Sequence, residues 1–314
     1  MSTTASSTVR PLETPELSIV VTVVEGGLAL ERFLTALCSQ HEAPSMEVLV
    51  PLDESVASLF ALQSRFPSVQ FLALGKVPTA RPIASAGGQH ELYDRRRTAA
   101  LKVARGNIVA ILEDRGVPRP DWAATVVRLH TQPWAVIGGA IEPAPSGLLD
   151  WALYVCDFSR YALPFAAGPA AWVSDVNVSY KRRALENTRH LWADRFHEPT
   201  VHWELHRQGE ALFLTPDLIV DHHRTPKPLQ ASLVERFHWG RLYGYIRARE
   251  ISVGKRALLA LASPLVPMVL LARHAKVHVG RGDGLRYLAA TPALFALLAA
   301  WAFGEAVGTL TGTP

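Results

Sequence analysis

At 314 residues the chain is about twice the usual size of one domain, so one large domain with an appendage is the natural expectation. With 49% hydrophobic and 19% charged residues it is neither disordered nor fibrous, and it is apolar for an enzyme wholly dissolved in water. Two cysteines, Cys38 and Cys156, cannot form a disulfide framework, nor does any paired CxxC spacing point to structural zinc, so a reducing, cytosol-facing setting is expected. The formal charge of +4 is uneven: Lys227 to Arg286 carries eleven Lys and Arg against Glu235, Glu250 and Asp283. A basic tract beside an apolar tail fits an anionic membrane surface better than a nucleic acid, whose recognition modules the sequence does not contain.

Residues 1–16, rich in Ser, Thr and Pro, read as a disordered tail and not as a signal peptide. Leu17–Val24 is apolar and β-branched, a buried strand. Leu28, Phe33, Leu34 and Leu37 follow at helical spacing, then a strand at Glu47–Leu52, a helix at Val56–Phe66 and a strand at Val69–Leu74. Lys76–Gln89 reads as a loop, and a helix over Leu92–Arg105 is expected to stop at Gly106 as its C′ residue before the strand Asn107–Leu112. Strands joined by crossover helices imply a parallel sheet covered on both faces, with ligands at the carboxyl ends of the strands. Asp53 and the pair Glu113-Asp114 stand at such ends.

The second half predicts a helix over Pro120–Gln132, a strand over Ala135–Ile141 and a helix over Leu148–Ala162. A strand over Trp172–Tyr180 follows, then a helix over Pro199–Gln208 with Pro at its first position, and a strand over Ala211–Val220 that runs into Asp221-His222-His223. No internal repeat is visible.

Carboxylates at the end of a buried strand are costly unless a cation or hydrogen-bond donors meet them. Glu113 and Asp114 could hold Mg²⁺ or Mn²⁺, lie in solvent or pair with Arg115. His202 and His206 share a helix face, but the spacing H-x-E-x-H is not that of zinc proteases and no third ligand is evident. Glu25-Gly26-Gly27 lacks the spacing of a dinucleotide-binding loop, and no G-x-S-x-G elbow of a hydrolase occurs.

Six segments in order carry a resemblance: LSIVVTVV, VLVPLDES, RRRTAALKVARGNIVAILED, GGAIEP, VSDVNVSYKRRAL and FHEPTVHWELHRQGEALFLTPDLIVDHH. From Leu17 to about Arg249 the chain resembles the family 2 glycosyltransferases, bacterial enzymes of GT-A fold that transfer sugars from nucleotide donors. The tail WAFGEAVGTL is similar to the membrane-associated branch of that family. The resemblance implies an α/β fold, a GT-A-like mixed, mostly parallel sheet flanked by helices, with a C-terminal membrane-associated helical tail. It implies inverting transfer of a hexose from a UDP- or GDP-sugar to a hydroxyl of a lipid-linked or surface-glycan acceptor.

Residue by residue, the resemblance gives Asp53 a hydrogen bond to the nucleobase and sets Arg97 against the donor diphosphate. Asp114, with Glu113 beside it, would hold the diphosphate and a divalent cation, Mg²⁺ or Mn²⁺. Arg115 stands where many members carry another acid, which leaves the metal requirement open. Asn177 matches the sugar pocket, and His222 a metal or phosphate ligand. Counting back from Gly209 sets His197-Glu198 on the family's Glu-Asp pair, so Glu198 is the expected catalytic base, kept ionised by the dipole of the helix it caps. This scheme requires Asp53, Asp114 and Glu198 to border one pocket. A catalytically silent nucleotide-sugar-binding subunit is the alternative; a nucleotidyltransferase ranks last, because no basic residue follows the first strand closely.

Ala257–Ala272 is uncharged for sixteen residues and contains Pro264 and Pro267. A helix of that length covers ~24 Å, short of the ~30 Å hydrocarbon core. A spanning first segment would also put Arg273, Lys276, Arg281 and Arg286 outside, against the positive-inside tendency. The expectation is therefore an interfacial or re-entrant first segment, with Leu288–Phe303 as the spanning one; two buried core helices are the alternative. The expected organisation is a tail at 1–16, a transferase domain at 17–226 (halves 17–115 and 116–226), a basic interface segment at 227–256 and apolar helices at 257–314, on the cytoplasmic face of the cell membrane.

Overall fold

The computed structural model describes residues 14–144 and 146–313, so most of the expected N-terminal tail lies outside the described residues. The described strands form one nine-stranded sheet. They are β1 (Leu17–Thr22), β2 (Met46–Leu52), β3 (Val69–Ala73), β4 (Ile108–Glu113), β5 (Gly116–Pro118), β6 (Val136–Pro143), β7 (Gly168–Ala170), β8 (Asn177–Lys181) and β9 (Leu212–His222). Their order is β3-β2-β1-β4-β8-β6-β9-β5, with β7 against β9. The helices are α1 (Gly27–Cys38), α2 (Ala86–Val103), α3 (Trp122–Leu129), α4 (Leu148–Phe158), α5 (Arg182–Asn187), α6 (Arg189–Trp192), α7 (Glu198–Arg207), α8 (Leu229–Ala248), α9 (Val253–Ala262), α10 (Val266–Gly280) and α11 (Gly284–Thr311). This is the mixed, mostly parallel α/β sheet that the sequence predicts.

The strands β1 and β4 are apolar runs because both faces of the sheet are covered. Leu17, Ile19 and Val21 join Leu30, Phe33 and Leu37 of α1 in one core. Val20, Val109 and Ile111 join Ala100 and Leu101 in the other. Gly106 is not a left-handed helix cap, contrary to expectation. Helix α2 already ends at Ala104, and a Cβ on Gly106 would lie 2.5 Å from the Ser18 nitrogen, so glycine is needed for close passage beside β1. The same helix begins six residues earlier than its apolar spacing suggests, because Ser85 caps it by accepting a hydrogen bond from Gly88 N.

The antiparallel strand β8 separates the two parallel portions, with Leu112 of β4 opposite Asn177. The carboxyl end of β4 and the amino end of β8 therefore share one rim. The expected strand from Trp172 is shorter than predicted: residues 172–176 leave the sheet and turn, with Asn177 N bonded to Ser174 O. That turn brings Asp175 to the rim beside Glu113.

Helices α8 and α11 touch backbone to backbone. A Cβ on Gly240 or Gly244 would lie 2.1 or 2.2 Å from carbonyl oxygens of α11, and one on Gly304 or Gly308 would meet α8 at 2.0 or 1.9 Å. The first half of α11 is also part of the core beneath the sheet, through Tyr287, Ala290, Leu294 and Leu297. Two helical stretches are long and apolar enough to cross a membrane, Val253–Gly280 and Gly284–Thr311. Their apolar windows differ in burial, 6% against 39%. Pro264 and Pro267 fall where the first of them passes through a 3-10 turn at Ser263–Leu265.

Candidate active site

The rim of the sheet is organised around one guanidinium. Arg97 projects from α2, is 5% exposed, and donates from Nε to Thr22 Oγ1 at 2.7 Å. Its Nη2 lies 2.7 Å from Asp175 and 3.4 Å from Glu113, and Asp94 is 3.9 Å from Nη1. Burial opposes its charge, but these carboxylates win and raise its pKa. Three acids thus draw on a single cation. Burial and the neighbouring Asp175 push Glu113 up to about 7 in spite of Arg97.

Glu198 opens α7, with His197 at the N-cap and Pro199 after it. Its Oε2 accepts from Asp175 N at 3.2 Å, and its Oε1 is 3.4 Å from His202 Nδ1. The dipole of α7 favours the carboxylate form, as the sequence suggests. Burial and Asp175 outweigh it, and hold the Glu198 carboxyl well above the usual glutamate range.

Two neighbouring cavities open here. The first, about 230 Å³, is lined by Arg97, Glu113, Arg115, Asp175, His222 and Arg224, among others. Arg115 Nε reaches Glu25 at 2.8 Å, and Glu25 in turn accepts from Thr225 N and Oγ1 at 3.0 and 2.6 Å. This ties the loop after β1 to the segment after β9. His222 ends β9 against Phe158, and burial together with Arg115 and Arg224 pushes its imidazole down to about 3, so it is neutral. The second cavity, about 460 Å³, contains Glu198, Arg160, Tyr161, Trp172 and Arg273. Asp157, Arg236 and Trp301 border both.

Of the residues predicted from sequence, Arg97, Glu113 and His222 line the first cavity and Glu198 the second. Asp53, Asp114 and Asn177 border neither. Asp53 caps the 3-10 segment Glu54–Ser64: its Oδ1 accepts from Ser55 N, Ser55 Oγ and Arg96 Nη2 at 2.9, 2.7 and 2.8 Å. Burial alone would raise its pKa, yet the Arg96 and Ser55 hydrogen bonds bring it below the ordinary value. Asp114 has no exposed surface and accepts from the amides of Val24, Glu25 and Gly26 at 3.0, 3.1 and 2.7 Å. It shapes the loop leading into α1. Asn177 braces the sheet, accepting from Trp122 Nε1 and donating to the Ala140 and Leu218 carbonyls. The expectation that Asp53, Asp114 and Glu198 meet in one pocket is therefore corrected: two of the three carboxylates are already satisfied by protein donors.

Sequence reasoning missed Asp175 and Trp301. An acid inside an otherwise apolar predicted strand is a usable signal for Asp175. A single Trp in an Ala- and Leu-rich helix was a weaker one for Trp301.

No protein-family model matches the chain, and no curated protein matches it in sequence. Among solved structures it is similar to a mannosyltransferase, PcManGT from Pyrobaculum calidifontis, in complex with GDP-Man and Mn²⁺. The TM-score is 0.52 at 16% identity, over 92% of this chain and 86% of that one. It is also similar to residues 1–349 of TarS from S. aureus in complex with UDP-GlcNAc, with a TM-score of 0.48 at 11% identity, over 88% and 90% of the two chains. The fold is GT-A-like.

Within this GT-A-like rim the side chains present do not suit a divalent cation. Asp114 is occupied by three amides, and Arg115 follows it. The cation already between Glu113 and Asp175 is Arg97. His222 faces Arg115 and Arg224. Among the described residues no three His, Cys, Asp or Glu converge as a metal site. What the rim does offer is a dense set of arginines, two of which, Arg224 and Arg236, share Asp157.

Proposed function

We propose that the protein is an inverting glycosyltransferase that moves a sugar from a nucleotide-diphosphate donor, a UDP- or GDP-sugar, to an acceptor hydroxyl. One observation carries the reading: Glu113 and Asp175 pair with Arg97, and Glu198 bonds to Asp175, at the carboxyl rim of a GT-A-like sheet, between two adjoining cavities.

In this reading the donor diphosphate lies in the first cavity. Arg97 and Arg115 face the negative charge that grows as the bond from the anomeric carbon to the diphosphate oxygen breaks. Preplaced guanidinium groups suit phosphate oxygens, and no step is routed through a metal. The acceptor hydroxyl enters from the second cavity, gives its proton to Glu198, and its oxygen attacks the anomeric carbon opposite the departing diphosphate. A raised pKa makes Glu198 a stronger base than an ordinary glutamate, and general base action is worth typically 10²–10⁴-fold. The basic tract and the two long apolar helices support attachment to the cytoplasmic face of a membrane, where a lipid-linked or surface-glycan acceptor would be met.

The sealed Asp114 favours a second reading, a nucleotide-sugar-binding subunit without chemistry. Purified protein incubated with a panel of UDP- and GDP-sugars separates the two. Release of free UDP or GDP supports the transferase, and binding without release supports the silent subunit.

A further inference from the structure

The helix that opens with Glu198 carries two histidines, His202 and His206, and the structure gives them different tasks. His206 is exposed, and its Nε2 donates to the Ala171 carbonyl at 3.1 Å. His202 has no exposed surface, and its Nε2 lies 2.9 Å from the Tyr180 hydroxyl on β8. Its Nδ1 has no hydrogen-bond partner among the described residues and lies 3.4 Å from Glu198 Oε1, one turn back along α7. That separation is loose for a formed bond, and bonds around a catalytic group often tighten only when substrate arrives.

The surroundings decide where the protons sit. Burial pushes the His202 imidazole down to about 3, so it carries one N–H and no charge. Burial also holds the Tyr180 phenol well above its ordinary value, so the hydroxyl keeps its proton. Tyr180 belongs to an apolar core with Phe196, Val201 and Leu205, and His202 Nε2 is the partner its hydroxyl has there. A buried hydroxyl that only accepted would leave its own proton unpaired. Tyr180 therefore donates to Nε2, and the imidazole proton is left on Nδ1, toward Glu198.

We infer that His202 is a positioning residue for Glu198: its Nδ1–H holds Oε1 of the carboxylate, and Tyr180 fixes the tautomer that lets it do so. Oε2 is held separately by the Asp175 amide. A glutamate has three side-chain torsions to fix before its carboxylate can meet an acceptor hydroxyl, and two clamps on one carboxylate fix them. The neutrality of the clamp matters as well. Arg97 on α2, Asp175 before β8, Tyr161 after α4, and Arg160 and Arg273 across the second cavity already surround Glu198. Another cation beside it would favour the ionised form and weaken the base, whereas a neutral donor orients it at a smaller loss of basicity. The inference rests on the reading of Glu198 as the base of sugar transfer and deepens it.

The test has two parts, and the first needs no turnover. The full chain is isotope-labelled in its histidine ring nitrogens, and comparison with His202→Asn assigns the His202 signals by magnetic resonance. The wild type should carry its proton on Nδ1, and Tyr180→Phe should lose that preference. A proton on Nε2 in the wild type overturns the inference.

The second part is kinetic. His202→Leu should lower kcat about tenfold or more, as hydrogen bonds to charged groups are worth that much, with donor KM near wild type. The acid limb of the kcat/KM profile should rise by about one pH unit, because a carboxylate that loses a donated hydrogen bond ionises less readily. His202→Asn, whose amide takes the place of Nδ1, should recover most of kcat. His202→Gln, whose amide reaches toward Tyr180 instead, should not. Equal activity of the Asn and Gln variants at equal thermal stability, or an unmoved limb in the Leu variant, overturns the inference. Wild-type transfer by Glu198→Gln with the Nδ1 tautomer intact leaves the hydrogen-bond chain standing and removes the base reading alone.

Discussion

Two regions of the sheet treat buried carboxylates in opposite ways. On the side of β1 and β2, Glu47, Asp53 and Asp114 are each met by several donors. Glu47 accepts from Ser18 and from both the amide and the guanidinium of Arg105, and Asp53 from Ser55 and Arg96. Burial raises these two pKa values less than the hydrogen bonds lower them. Where β4 meets β8, Asp94, Glu113 and Asp175 share Arg97, Glu198 adjoins Asp175, and both glutamates are pushed up. Hydrogen bonds thus fix Glu47 and Asp53 as anions, burial still raises Asp114 in spite of its three amides, and crowding makes Glu113 and Glu198 proton-accepting groups.

The sharpest way to break this contrast is to remove the shared cation. Arg97→Ala leaves buried acids without their partner, and losing one member of a buried ion pair costs about 3–5 kcal/mol. Chemical denaturation should show that loss, and the nucleotide thermal shift should vanish with it. An Arg97→Ala protein of wild-type stability would mean that the three acids do not depend on it.

Asp114→Asn addresses the other region. An amide facing three backbone N–H donors forfeits hydrogen bonds, so unfolding free energy should fall by about 1–3 kcal/mol. Nucleotide affinity should follow stability and not collapse on its own. A variant with wild-type stability and no nucleotide binding would return Asp114 to the donor site.

Asp175→Asn sharpens the second region. The negative charge of Asp175 raises the Glu198 pKa, so its removal lets Glu198 ionise at lower pH. The acid limb of the kcat/KM profile, above the usual glutamate range in the wild type, should then move to lower pH. A limb that stays put, or moves up, would detach it from Glu198. The smallest effect belongs to chelation: under the proposal that arginines meet the donor phosphates, EDTA should leave the nucleotide thermal shift unchanged.

The strands of this fold are legible because buried parallel strands are written as apolar runs; Leu17–Val24 and Asn107–Leu112 match β1 and β4 closely. The Gly106 assignment failed because the constraint on it comes from Ser18, 88 residues away, and not from its own helix. Four of the candidate positions, Arg97, Glu113, Glu198 and His222, reach the two cavities. What the sequence could not reveal is which carboxylates are already satisfied. The donors to Asp114 lie about 90 residues from it, and Arg96 lies 43 from Asp53. Trp301 stayed hidden because its helix reads as membrane, and only the glycine contacts between α8 and α11 bring it to the cavities.

The most direct measurement is single-turnover sugar transfer by Glu198→Gln, with donor binding measured on the same preparation. The account predicts that transfer falls by about 10²–10⁴-fold while donor affinity stays near wild type. Transfer at close to the wild-type rate would contradict it, because among the described residues Glu198 is the acid that both lines the second cavity and bonds to Asp175.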